Sequence, residues 1–197
     1  MKTPEIRIRN QRPGIFVVEN FLQNPEEHRQ FALQLDYKKK GSYGVRSAPY
    51  PYLEYKAAFE RILRRPITRW DEPEASGVNG CYQFCDKDQD LVYHVDGQQY
   101  AAVLHLTPDA PLSSGTSFWR SKHSGERIHN GQYSELTFGG QGEYLKDPAH
   151  WELVDQVGNV FNRLVIWYGR YIHSASEYFG EDIHDSRLFQ VFFFDCE

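Results

Sequence analysis

The sequence predicts an α+β chain that is mainly β: an antiparallel sandwich or barrel with N-terminal helices packed on one outer face. Two observations carry this. Before about residue 75, apolar residues recur twice at helical spacing; beyond it they alternate in short runs separated by turn residues. Two helices followed by many short strands suit a core of packed or closed sheets with the helices outside. One domain over residues 1–197 fits the length, with 1–75 supplying an opening strand and supporting helices and 76–197 the β core.

The elements follow in order. "GIFVVENF" has strand length and opens the fold. In "QNPEEHRQFALQLDY", Asn24 can cap, Pro25 fits the first helical position and Glu27 completes a capping-box pattern. His28, Phe31, Ala32 and Leu35 then share a helical face. Pro49 and Pro51 mark a loop. "YLEYKAAFERILRR" is a second helix with Tyr55, Phe59, Ile62 and Leu63 on one stripe, stopped by Pro66. "GVNGCYQFCD", "LVYHVDG", "YAAVLHL", "TSFWR", "NRLVIWYG" and "RLFQVFFF" all read as strands. An insertion, residues 121–161, interrupts them. Within it, Asp147 and Pro148 look like a helix start and Gly158 like its stop. Loops this long in compact domains are commonly lids or binding loops, and a lid is expected here.

Bulk properties exclude several functions. A net charge of −5 and a pI near 5.9 argue against a nucleic-acid partner. The basic cluster "RILRR" reads as a solvated helix face. No apolar run approaches membrane-spanning length, and "MKTPEIRIRNQRPG" lacks the apolar centre of a signal peptide. Cys81 and Cys85 have three residues between them, not the two of a zinc knuckle, and no second pair follows. With Cys196 they read as free thiols in a reducing, cytoplasmic setting.

Chemistry concentrates in "YHVDG". On a strand, residues i and i+2 share a face, so His94 and Asp96 point together. His173, in "YGRYIHSASEYF", follows another strand and can meet them across a sandwich. Two imidazoles and one carboxylate on one face of an octahedral metal leave three adjacent positions open. That arrangement suits Fe(II) and O2 chemistry, whereas a closed four-ligand set suits structural zinc. Arg187 opens the last strand and shares a face with Phe189, Val191 and Phe193. Its guanidinium can hold a carboxylate bidentately.

These residues carry a resemblance. "GCYQFCDKDQDLVYHVDG", "FNRLVIWYGRYIHSASEYFG" and "RLFQVFFFD" resemble the metal-binding and cosubstrate-binding segments of the 2-oxoglutarate/Fe(II)-dependent oxygenases, most closely the prolyl-4-hydroxylase-like branch. The likeness covers residues 78–195. "YAAVLHLTPDAPLSSGTSFWR" looks like the hallmark of a bacterial or phage subgroup. The resemblance implies a double-stranded β-helix, a cupin-like jelly-roll barrel with the metal at its mouth. It implies Fe(II) held by His94, Asp96 and His173, with Arg187 on the far carboxylate of 2-oxoglutarate. Tyr82 matches a tyrosine that helps hold the cosubstrate, and His105 sits where a cosubstrate-contacting tyrosine is common. The implied reaction consumes 2-oxoglutarate and O2, releases succinate and CO2, and hydroxylates a peptide, protein side chain or small molecule. Keeping Asp96 favours hydroxylation over halogenation. Phe189 departs from the pattern, because a small or hydroxyl residue is usual two positions after the basic residue. Two rivals remain at this point: a cupin-type metalloenzyme that does not use 2-oxoglutarate, and a non-catalytic binding module.

Overall fold

A computed structural model of the chain describes residues 14–39, 44–70, 77–129 and 139–197. The opening run forms β1 (Ile15–Val18), and the first periodic segment forms α1 (Pro25–Leu33). Asn24 is the N-cap, but its side chain does not cap the backbone; it donates to Glu27 Oε2 at 3.4 Å. The expected capping box therefore does not form. β2 (Lys38–Lys39) and β3 (Val45–Pro49) follow, then α2 (Leu53–Leu63) and β4 (Ile67–Arg69). Arg64 ends α2 in the left-handed region at φ 54°, ahead of Pro66.

The β core begins with β5 (Cys81–Cys85) and β6 (Tyr100–His105). It continues with β7 (Thr116–Ser121), β8 (Trp151–Val157), β9 (Leu164–Tyr168), β10 (His173–Ala175) and β11 (Arg187–Cys196). One sheet has eight strands in the order β1-β9-β6-β11-β5-β3-β2, with β4 also paired to β11. The second has three, β10-β7-β8. All the strand pairs among the described residues are antiparallel. The mainly β class and the double-stranded β-helix are thus the observed fold, as two facing sheets.

Strand alternation divides the core. From β6, Tyr100, Ala102 and Leu104 join the cluster beneath the helices, whereas Ala101 and Val103 face the space between the sheets, where Phe118 of β7 meets them. The helices cover the large sheet's outer face. Phe59 of α2 packs edge-on against Trp70 and Phe192 with ring centroids 5.6 and 5.2 Å away. Arg29 of α1 donates to Leu106 O at 2.8 Å and His184 O at 2.6 Å, tying that helix to the sheet's end. A third cluster, with Tyr93, Val95, Trp151 and Ile172 buried and Trp119 packed against it, backs the small sheet.

Two expected elements differ. Residues 147–158 do not form a helix: Pro148–His150 make one 3₁₀ turn and Trp151–Val157 are β8, the edge strand of the small sheet. Residues 151–157 pair along β7 with a register shift between Phe118 and Trp119, and that pairing outweighs the local Asp-Pro start signal. "LVYHVDG" is not a strand either; it makes a single bridge, His94 to His173. In its described parts the segment 121–161 is hydrogen-bonded within itself and to the segment after β9. Lys122 N–H donates to His150 O at 3.0 Å, and Ile172 N–H to Arg127 O at 2.9 Å. Residues 130–138 of the expected lid lie outside the described residues.

Because Phe59 is fully buried between helix and sheet, Phe59→Ala should cost about 3–5 kcal/mol of stability. Urea denaturation checks this; a loss below about 1 kcal/mol would mean that the helix layer contributes little to holding the sheet.

Candidate metal centre

His94 and His173 are antiparallel partners that exchange both backbone hydrogen bonds, His94 N–H to His173 O at 3.0 Å and the reverse at 2.8 Å. Their ring centroids lie 4.3 Å apart. Asp96 N–H donates to Gly169 O at 2.8 Å, so the carboxylate is held to the same return segment. Tyr93 and Val95 point into the cluster behind the small sheet, whereas His94 and Asp96 line the cavity between the sheets. The two-residue alternation inferred from sequence therefore holds, although only one bridge supports it.

Each imidazole is fixed in one orientation. His94 Nδ1 lies 2.8 Å from Val92 O, and His173 Nδ1 lies 2.8 Å from Tyr171 O. A carbonyl only accepts, so each Nδ1 carries a hydrogen and each ring turns its Nε2 to the cavity. Nε2 of His94 lies 3.6 Å from Asp96 Oδ1, and Nε2 of His173 lies 3.2 Å from Asp96 Oδ2. Asp96 Oδ2 is buried with no hydrogen-bond partner. Desolvation, with the His173 ring adding to it, pushes His94 down to about 4, so it is neutral at pH 7. Ligand atoms of all three side chains lie within 4.8 Å of one another. Converging lone pairs around an orphaned carboxylate oxygen repel one another unless a cation sits between them. The donor set fits a divalent metal with open positions.

The same cavity, about 100 Å³ in volume, is walled by Val103, Trp167, Phe189, Val191 and Phe193 and reaches Arg187. That is room for several waters or a small organic acid. Arg187 is 3% exposed. It donates Nε–H to Ser114 O at 2.9 Å and Nη2–H to Gly115 O at 3.4 Å, and lies 4.3 Å over the Phe189 ring. The residue that departs from the family pattern thus serves as a π face beneath the cation. Among the described residues no carboxylate pairs with Arg187.

Two sequence-predicted contacts fall elsewhere. Tyr82 does not face the cavity. It is fully buried beneath the helices, its hydroxyl 2.8 Å from His28 Nε2 and its ring centroid 5.9 Å from that of Phe31. β5 alternates, so Gln83 takes the inner face instead, accepting from Arg46 Nε at 2.6 Å. His105 lies on the inner face opposite Phe189 but does not line the cavity. It is fully buried, neither ring nitrogen has a hydrogen-bond partner among the described residues, and burial with Arg187 and Arg163 nearby holds it well below its ordinary value. Sequence reasoning missed Arg46, Gln83 and Tyr178 as cavity-lining residues. Strand parity would have found Gln83, since it lies two residues from Cys85, which pairs with Arg187.

Comparisons extend the picture. A family model described as "Family of unknown function (DUF6445)" matches residues 1–188. No curated relative matches the sequence. Among solved structures, the chain is similar to a prolyl hydroxylase from Trichoplax adhaerens in complex with a hypoxia inducible factor peptide. That pair has 10% identity and a TM-score of 0.53, over 92% of this chain and 83% of that one. It is similar to HygX from Streptomyces hygroscopicus with nickel and 2-oxoglutarate bound, at 13% identity and TM-score 0.53 over 90% and 81%. It is also similar to the non-heme alpha-ketoglutarate-dependent epimerase SnoN from nogalamycin biosynthesis, at 13% identity and TM-score 0.55 over 90% and 76%. At these identities the likeness establishes a shared fold. No helix among the described residues is long and apolar enough to cross a membrane.

If the triad is a metal centre, the wild type binds one Co(II), and Asp96→Ala weakens that binding by more than about 100-fold, beyond what loss of an outer partner does. Calorimetric titration checks this; equal affinity in both proteins would remove the centre.

Proposed function

We propose that this chain, which belongs to the DUF6445 family of unknown function, is an Fe(II)- and 2-oxoglutarate-dependent dioxygenase that hydroxylates a peptide, protein side chain or small molecule. The observation that carries the proposal is Arg187. A buried guanidinium with no carboxylate partner among the described residues shares one cavity with a His-Asp-His triad. Burying an uncompensated cation costs several kcal/mol, so the site calls for an anion. A dicarboxylate meets both requirements: one end chelates the metal and the other pairs with Arg187. The shared fold with HygX, solved with nickel and 2-oxoglutarate, and with the alpha-ketoglutarate-dependent epimerase SnoN supports the metal and the cosubstrate.

His94, Asp96 and His173 would hold the iron, which when bound supplies O2 activation for oxidising a substrate C–H bond. The chain's residues set the conditions. Backbone carbonyls at 92 and 171 fix the imidazole tautomers. Two carbonyls and the Phe189 ring pre-position Arg187, so little ordering is left for cosubstrate binding. Trp167, Val103, Val191 and Phe193 form an apolar wall that keeps the reacting region dry. Asp96 occupies the carboxylate position of the triad, and the product formed is a hydroxyl.

Anaerobic titration of the protein with Fe(II) and 2-oxoglutarate tests the assignment. A visible charge-transfer band is expected in the wild type and absent in His173→Ala; metal binding without a band would favour a metalloenzyme that does not use 2-oxoglutarate. Arg187→Ala should keep metal affinity but raise the 2-oxoglutarate Kd roughly 30-fold or more, about 2 kcal/mol, as expected for losing one partner of a buried charge pair. Under O2, Asp96→Ala should form no succinate; near-wild-type succinate would overturn the assignment.

A further inference from the structure

The carboxylate of the triad sits on irregular backbone, and nothing in residues 91–99 is a strand until β6 begins at Tyr100. Such a segment does not hold a metal ligand in place by itself. What fixes it is the turn after β9. Asp96 N–H donates to Gly169 O and Gly169 N–H to Gln99 O, both at 2.8 Å. Arg170 then closes the loop. Its Nη1 donates to Asp96 O at 3.1 Å and its Nη2 to Gly97 O at 2.9 Å. One planar fork thus spans the carbonyls of two consecutive residues, the ligand and its successor, and limits rotation of the peptide between them. Gly169 permits this close approach. A Cβ there would stand 2.5 Å from Gln98 O and 3.2 Å from Asp96 Cβ. Three residues after Arg170, the same segment delivers His173.

Resting on the assignment of a metal to the His94, Asp96 and His173 triad, we propose that Arg170 is a positioning residue that locks the Asp96 loop onto the segment carrying His173, so that the three ligands are set before metal arrives. Arg170 touches no ligand atom; it acts through the backbone of Asp96 and Gly97. A lysine can reach one of the two carbonyls but cannot span both.

Co(II) titration of the full chain in the wild type, Arg170→Ala and Arg170→Lys, with thermal melting of each metal-free protein, decides the matter. The expected result is a Co(II) Kd raised about 10–100-fold in Arg170→Ala, an intermediate value in Arg170→Lys, and metal-free melting temperatures close to wild type. The cobalt d–d spectrum of Arg170→Ala should also shift, reporting altered ligand geometry. A Co(II) Kd within twofold of wild type in Arg170→Ala, with an unchanged spectrum, would overturn the proposal. So would a drop in metal-free stability that accounts for the lost affinity, with Arg170→Lys no better than Arg170→Ala. If the wild type itself binds no Co(II), the metal assignment fails first, and that outcome is distinct from the other two.

Discussion

Two backbone hydrogen bonds between His94 and His173 hold the rest of the site together. The residues are 79 positions apart in the chain, and closing so long a loop carries a large entropic cost. The sandwich meets it. β10 pairs with β7, β9 pairs with β6, and the turn between β9 and β10 returns the chain to the start of the triad. Once the bridge is formed, the rings face each other. The two Nδ1–H groups are then satisfied by carbonyls two residues back, and the Nε2 atoms converge on Asp96.

The cavity beyond the triad shows how the fold handles charge in an apolar space. Arg187 is surrounded by carbonyls, an aromatic face and the Tyr178 and Cys85 side chains rather than by an acid. That arrangement is tolerable because carbonyl dipoles and a π face partly replace water around the guanidinium. Phe189 therefore belongs to the site although its side chain has no polar atom. His105 is a different case. It is neutral, fully enclosed and unpartnered on the inner face, and its nearest strand neighbour is Phe189. Behind the large sheet, Tyr82 joins His28 and Tyr55 in a polar knot within an aromatic cluster. This knot bonds α1 and α2 to the sheet whose other face carries Arg187.

The hydrophobic period of 3.6 residues placed both helices, and alternation placed β5, β6, β7, β9 and β11. These signals are local, because each element must bury one face whatever its neighbours are. His94, Asp96, His173 and Arg187 were likewise legible, because their residue types are costly to bury without a partner. The failures share one cause. The Asp-Pro pair before Trp151 signals a helix start locally, but a vacant edge beside β7 made residues 151–157 a strand. Tyr82 looked chemically apt, yet the register of β5 against β11 turned Gln83 inward instead.

By itself, then, the sequence determined both helices and most of the core strands, and pointed to the four polar residues His94, Asp96, His173 and Arg187 that line one cavity. Only the tertiary structure decided which face each strand turns to the cavity, that Phe189 underlies Arg187, and that Arg170 holds the Asp96 loop. The physical reason is that a one-residue shift in strand register exchanges inner and outer faces while leaving the local pattern unchanged. Register is fixed by pairing between strands far apart in the chain, and contacts such as Arg170 to the carbonyls of Asp96 and Gly97 exist only after that pairing is complete.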